Sequence, residues 1–143
     1  MGSVALLNVL VDHKAYTEEQ KKQIIVTFVT NLFMKAKPTL SQAHRVRSVM
    51  QCHYFLKNGA MEVKDGKIFV NIDKVIPTAR EMLTEIIDVQ LSQDFNKGEK
   101  YVLDNFIWDD EMEIISKKLQ KVDKSLNGVV NTPLADFLIT HEN

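Results

Sequence analysis

The sequence predicts a mainly α-helical fold: an array of about six helices with one short β-hairpin, in a single domain over residues 1–143. Apolar residues recur at three- and four-residue spacing along most of the chain, the pattern of helices that bury one face. Helix start and stop signals separate these stretches. One Asp-Gly dipeptide between two short apolar-rich stretches predicts the hairpin. With 143 residues and 45% hydrophobic content, the chain is long enough to bury one core.

The first half of the chain contains three predicted helices. Residues 4–11 have few polar positions and predict a short helix that is apolar nearly all round. A capping box that opens at Thr17 predicts the start of a longer helix, which should end before Pro38. A third helix is expected to run from an N-cap at Ser41 to a stop at Asn58-Gly59.

The second half contains the hairpin and three more predicted helices. Asp65-Gly66 is the dipeptide type that best adopts the positive φ angles of a tight turn. Pro77 is expected in the first turn of a long helix, where its missing N–H would have no partner anyway. Residues 94–106 and 109–126 predict two further helices. Asn127-Gly128 should end the last one, and an irregular tail should follow.

Composition argues against several classes of partner. The net charge is -1, so the chain lacks the positive field that nucleic acids and anionic membranes attract, and neither partner is expected. No apolar run reaches the roughly 20 residues that cross a bilayer. Cys52 is the single cysteine and cannot form an internal disulfide, and no secretory leader is recognisable. These features predict a soluble, cytoplasmic protein.

The sequence contains no recognisable catalytic or metal-binding site. Zinc needs three or four converging ligands, but His44 and His53 are nine residues apart on one predicted helix and therefore lie on opposite faces. His13 and His141 lie near the predicted ends with no partner pattern. No glycine-rich phosphate loop occurs, and Cys52 is expected to be a buried, inert thiol. We therefore expect no catalytic residue, no metal ligand and no cofactor in this chain.

Four motifs stand in order through the middle of the chain: Gln42-Ala43-His44, Tyr54-Phe55-Leu56-Lys57-Asn58-Gly59-Ala60, Lys64-Asp65-Gly66-Lys67 and Val70-Asn71-Ile72-Asp73-Lys74-Val75. Together they resemble the C-terminal region of the dipeptidyl-peptidase III (DPP III) family of zinc peptidases. The resemblance covers nearly the whole chain. It implies a helix, a Gly-Ala turn, a hairpin and a long helix in that order.

The resemblance also implies what this chain lacks. In the family, two histidines of an H-E-x-x-x-H helix and a glutamate of a following helix hold the zinc, and that motif does not occur here. The chain would then be a non-catalytic C-terminal portion of a zinc dipeptidyl-peptidase, inactive on its own, that supplies scaffold and part of the peptide-binding cleft. Its implied partners are the missing N-terminal catalytic half and, in the intact enzyme, the peptide substrate.

One site residue follows from the resemblance. His44 matches the histidine of the family's Ala-His motif, which lies near the cleft, so His44 is expected to bind the peptide substrate. Some family members have an arginine one helical turn later, where this chain has Ser48. The prediction requires His44 to be at least partly accessible to solvent, while His53 should be much more buried.

Two further expectations concern partners. The nearly apolar first helix should expose a patch centred on Ala5, Leu6, Val9 and Leu10, which predicts a homodimer through that helix. The alternative to the peptidase interpretation is a stand-alone helical module that binds a protein partner through an apolar groove.

Overall fold

The structure, a computed structural model, describes residues 1–126. Within them, the elements in chain order are α1 (Gly2–Ala5), α2 (Leu7–Asp12), α3 (Glu18–Lys35), α4 (Ala43–Lys57), β1 (Met61–Lys64), β2 (Lys67–Val70), α5 (Ile72–Ser92), α6 (Phe95–Asn105) and α7 (Asp110–Leu126). The predicted fold class, mainly helical with one hairpin, is confirmed. No helix in this part of the chain is long and apolar enough to cross a membrane.

The predicted first helix is two short helices that meet at Leu6. Leu6 has φ -95° and ψ -5°, and it separates α1 from α2. Its side chain is 55% exposed, and that of Val9 is 43% exposed. Leu10 is half-buried, and Ala5 lies in the core. The predicted exposure is therefore right for Leu6 and Val9 and wrong for Ala5. The homodimer through this helix stays a prediction.

A long-range hydrogen bond accompanies the packing of Ala5 into the core. α1 packs against α5, and Arg80 of α5 donates a hydrogen bond from Nε to the carbonyl oxygen of Ala5 at 3.0 Å. The end of a four-residue helix leaves its last carbonyl groups without helical partners. Arg80 satisfies one of them from a neighbouring helix, which brings the first turn of the chain down onto the core.

The two central helices start in different ways. At α3, Thr17 Oγ1 accepts a bond from the Gln20 N–H at 3.1 Å, and the Thr17 N–H donates to Gln20 Oε1 at 2.9 Å, so the capping box is confirmed. α4 begins after Gln42, whose side chain makes no capping bond. The predicted N-cap at Ser41 is wrong, because the Ser41 hydroxyl instead pairs with the Thr39 hydroxyl at 2.8 Å.

The hairpin follows its prediction, whereas the start of α5 does not. Asp65 and Gly66 have φ of 52° and 64°, and the strands pair antiparallel. α5 begins at Ile72, so Pro77 lies inside the helix and not in its first turn. Because proline has no N–H, the helix lacks the bond that residue 77 would donate to the carbonyl of Asp73.

The core is formed mainly by α3, α4 and α5. Phe33 and Phe55 are fully buried within it, and the Phe28 and Phe55 rings are 5.8 Å apart. α7 packs on α3 and buries Met112 and Ile115. The predicted stop at Asn127-Gly128, the irregular tail and His141 lie outside the described residues.

Candidate functional site: a basic pocket beside an apolar groove

A small polar pocket lies where the end of α3 meets the beginning of α4. Its volume is about 330 Å³, and its walls are Met34, Lys35, Gln42, His44, Arg45 and Arg47. Four of these six side chains carry, or can take up, a positive charge, and none is acidic. We call this feature the basic pocket.

The chain turn between the two helices brings these side chains together. α3 ends at Lys35 because the next residue, Ala36, adopts an extended backbone with ψ of 140°. After a short connection, α4 begins at Ala43 and places His44 and Arg45 in its first turn. Arg45 Nε donates a hydrogen bond to Gln42 Oε1, which restrains the guanidinium group at the pocket.

Ser48 follows His44 by one turn and is directed into the helix. Its hydroxyl donates to the carbonyl oxygen of His44 at 3.1 Å, and the residue is buried. This is the position where the resemblance led us to look for an arginine. Here the basic side chains next to His44 are instead Arg45 and Arg47, on the accessible part of the helix.

Among the described residues, no acidic side chain forms an ion pair with Lys35, His44, Arg45 or Arg47. The ion pairs among the described residues are Lys21–Glu18, Lys100–Asp104 and Lys117–Glu113, all away from this pocket. The charge of Arg47 also reaches the Met1 amino group: burial, with a further contribution from Arg47, lowers the pKa of that amine. A chain of net charge -1 thus carries a local concentration of positive charge.

A larger apolar groove adjoins the basic pocket, and Arg47 lines both. The groove has a volume of about 790 Å³ and lies between α4, α5 and α6. Its walls are mostly apolar and include Val46, Met50, Met82, Ile86 and Val102. We call this feature the apolar groove.

Large apolar side chains remain exposed along the apolar groove. Leu40 is 70% exposed, Phe95 80% and Leu103 67%, and all three line it. Single exposed apolar residues are common on protein surfaces, but a contiguous group around a groove is typical of a binding surface. Apolar side chains are therefore exposed here as well as at Leu6 and Val9.

Two tyrosines lie near one glutamate beside the apolar groove. The Tyr54 hydroxyl donates to Glu85 Oε1 at 2.8 Å, and Tyr101, which lines the groove, lies near the same carboxylate. The Tyr101 hydroxyl is buried and has no hydrogen-bond partner among the described residues. Burial, together with the Glu85 carboxylate, raises the pKa of both phenols, which keeps them neutral. The Tyr54–Glu85 bond joins α4 to α5.

His44 and His53 on α4 differ in exposure in the predicted direction. His44 is exposed at the basic pocket, as expected, and His53 is only half-buried, so it is more enclosed than His44 but less than predicted. Burial, with Lys57, lowers the pKa of His53. His13 is exposed, with Nδ1 2.8 Å from the carbonyl oxygen of Val9. The substrate-binding role of His44 stays a prediction.

The structure also describes the placement of possible metal ligands and of Cys52. Within residues 1–126, no group of three His, Cys, Asp or Glu side chains is placed to hold a metal ion. Cys52 is free and buried, and burial raises the pKa of its thiol, as its assignment as an inert residue requires.

Sequence reasoning missed Lys35, Arg45 and Arg47, although the sequence contains a signal for them. Residues 20–61 include seven lysines and arginines and no aspartate or glutamate. The balanced net charge of the whole chain hides this segregation. A count of charge by segment would have indicated a basic surface around α3 and α4.

Comparison with known proteins gives a match at the level of structure. No family model and no curated protein sequence matches the chain. The fold is similar to that of DPP III from Caldithrix abyssi, with a TM-score of 0.72 and 20% sequence identity. The match covers 82% of this chain and 23% of that chain, so this chain spans less than a quarter of its structural neighbour. The expected DPP III-like architecture is confirmed as a fold.

Proposed function

We propose that this chain is the non-catalytic C-terminal portion of a DPP III-like zinc peptidase, in which it supplies scaffold and one wall of the peptide cleft. The observation that carries the proposal is the position of His44. It is exposed at the start of α4, beside a basic pocket and an apolar groove, in a fold similar to that of a DPP III.

The surroundings of His44 are suited to peptide binding. An imidazole can donate or accept a hydrogen bond at a peptide carbonyl or amide group. The adjoining apolar groove offers space for side chains, and the charges of Arg45 and Arg47 can interact with carboxylates. Peptide sites combine apolar pockets with a few placed polar groups in this way.

The proposal assigns zinc to the catalytic half. Among the described residues, no three His, Cys, Asp or Glu side chains are placed to hold a metal ion. This chain would contribute to substrate binding, and the reaction itself would need the partner half. The chain alone should then neither hold zinc stoichiometrically nor cleave dipeptidyl substrates.

The decisive experiment uses the full reading frame that contains this chain. We expect it to encode an H-E-x-x-x-H segment upstream, and the full product to release dipeptides in a fluorogenic assay that a chelator stops. His44→Ala should lower kcat/KM at least about tenfold, because one substrate hydrogen bond is lost. Lys22→Gln, an exposed change on α3, is the control and should have no effect.

Two results would overturn the proposal. A reading frame without the upstream motif would remove the catalytic half that the proposal requires. A full-length product with unchanged kcat/KM after His44→Ala would remove the cleft assignment.

The second candidate is a stand-alone helical interaction module. The exposure of Leu40, Phe95 and Leu103 around the apolar groove favours it, since such a groove suits an apolar helix or peptide of a partner. The same reading-frame test separates the two candidates, because only the peptidase interpretation requires the upstream zinc motif.

A further inference from the structure

We propose that the basic pocket is an oxyanion site that binds a carboxylate group, and that the apolar group next to that carboxylate lies in the apolar groove. The ligand class is an apolar carboxylic acid: the C-terminus of an apolar peptide, or an acyl acid. This inference rests on the proposed function only because both involve His44. Its test uses this chain alone, so the carboxylate site and the proposed function can each fail independently.

The first argument is electrostatic. Lys35, Arg45 and Arg47 converge on one pocket of about 330 Å³ and have no acidic side chain within 4.0 Å among the described residues. Like charges held together without counter-charge destabilise a fold, and a bound anion relieves the repulsion. Among the described residues, every acidic side chain lies outside the lining of this pocket.

The second argument is the type of donor. A guanidinium group presents paired N–H donors that match the two oxygens of a carboxylate, and two such groups line this pocket. Gln42 restrains Arg45, so part of the donor set is positioned before a ligand arrives. His44 adds a further ring N–H at the accessible side.

The third argument is the connection between the two cavities. Arg47 lines the basic pocket and also the apolar groove, whose volume is about 790 Å³. A small inorganic anion would fill only the basic pocket and leave the groove to water. A carboxylate with an aliphatic or aromatic group satisfies Arg47 and covers apolar wall residues such as Val46 and Met50.

Binding should be measured by isothermal titration with five probes: acetate, inorganic phosphate, N-acetyl-leucine, N-acetyl-leucinamide and octanoate. We expect N-acetyl-leucine or octanoate to bind at least tenfold more tightly than acetate and phosphate. N-acetyl-leucinamide, which has the apolar group without the charge, should bind at least tenfold more weakly than the acid. Tighter binding of N-acetyl-leucine would identify a peptide terminus as the source, and tighter binding of octanoate an acyl acid.

Substitutions separate the two parts of the site. Arg47→Gln and Lys35→Gln should each weaken N-acetyl-leucine binding about three- to tenfold, and raised salt should do the same. Lys22→Gln removes the same charge from α3 about 20 Å away along the helix axis and should leave binding unchanged. Leu103→Ser, at the exposed edge of the groove, should weaken N-acetyl-leucine binding but not acetate binding.

The proposal fails if the acid and its amide bind equally, or if Lys35→Gln and Lys22→Gln behave alike. The groove assignment fails if acetate binds as tightly as both larger acids. Because these side chains lie at the surface, the variants should keep the parent Tm, and thermal unfolding checks that a loss of binding is not a loss of fold.

Discussion

The Tyr54 hydroxyl on α4 donates a hydrogen bond to Glu85 on α5, with a distance of 2.8 Å between Oη and Oε1. Tyr54 is buried and Glu85 is half-buried, so this bond lies partly out of contact with water. The two residues are 31 positions apart, and the bond fixes the separation of two helices that form walls of the apolar groove. The shape of the groove therefore depends on this pair.

Removing the Tyr54 hydroxyl should destabilise the fold. We expect Tyr54→Phe to lower the free energy of unfolding by about 1–2 kcal/mol, because a bond to a charged acceptor is lost while the ring stays packed. Urea unfolding followed by circular dichroism measures the change. Tyr16→Phe, at an exposed tyrosine, is the matched control and should stay within about 0.5 kcal/mol of the parent. Equal losses in the two variants would contradict the prediction.

The free energy of unfolding should decrease at high pH because of two tyrosines, Tyr54 and Tyr101. The pKa values of Tyr54 and Tyr101 are raised in the fold, by burial first and then by Glu85. A group with a raised pKa binds its proton more tightly in the folded state, so its contribution is complete below the unfolded pKa of about 10 and is lost above it. Unfolding midpoints should therefore decrease from pH 9 to pH 11, less steeply in Tyr54→Phe. A slope that is the same in both proteins would refute this assignment.

Replacing the proline inside α5 should stabilise the fold, whereas the Tyr54→Phe change should destabilise it. Pro77→Ala should raise the free energy of unfolding by about 1–2 kcal/mol, since it restores a helical N–H and removes a ring clash, while the more flexible unfolded chain offsets part of the gain. Pro77 is exposed, so no packing is lost. Asp88→Ala, an exposed change on the same helix, serves as the control. A destabilised Pro77→Ala protein would indicate that α5 needs the irregularity.

Cys52 should react only when the fold opens. The thiol is buried, and burial raises its pKa, so both access and thiolate are suppressed. We expect reaction with an aromatic disulfide reagent to be at least about a hundredfold slower in the native protein than in guanidinium. Rapid stoichiometric labelling of the native chain would show that the region around α4 opens readily.

The features that sequence predicted well are those set by neighbouring residues. The capping box at Thr17 and the turn at Asp65 and Gly66 depend on short-range bonds and backbone preference, and both formed as expected. The predicted Ser41 cap failed because a competing hydroxyl, Thr39, lies two residues away. The Pro77 prediction failed because Ile72 to Ile76 continue the helix toward the N-terminus, and packing outweighs the proline penalty.

The candidate site also combines features that local sequence predicts with features that depend on long-range packing. His44 and its accessibility could be predicted, since one helix and one motif place it. The convergence of Lys35 with Arg47 could not, because it depends on how the connection after α3 turns back. The apolar groove was equally hidden, since it lies between three helices whose packing no local pattern specifies.

The bond from Arg80 to the carbonyl of Ala5 has a consequence for the order of folding. It joins residues 75 positions apart, and closing a loop of that length costs about 4 kcal/mol of chain entropy. α1 has only four residues, too few to hold a helix alone, so it gains structure by packing on other elements, mainly α5. The backbone amides in the middle of α5 should exchange slowly with solvent. Those of α1 should lose their protection from exchange first. α1 thus precedes α5 in synthesis and follows it in folding.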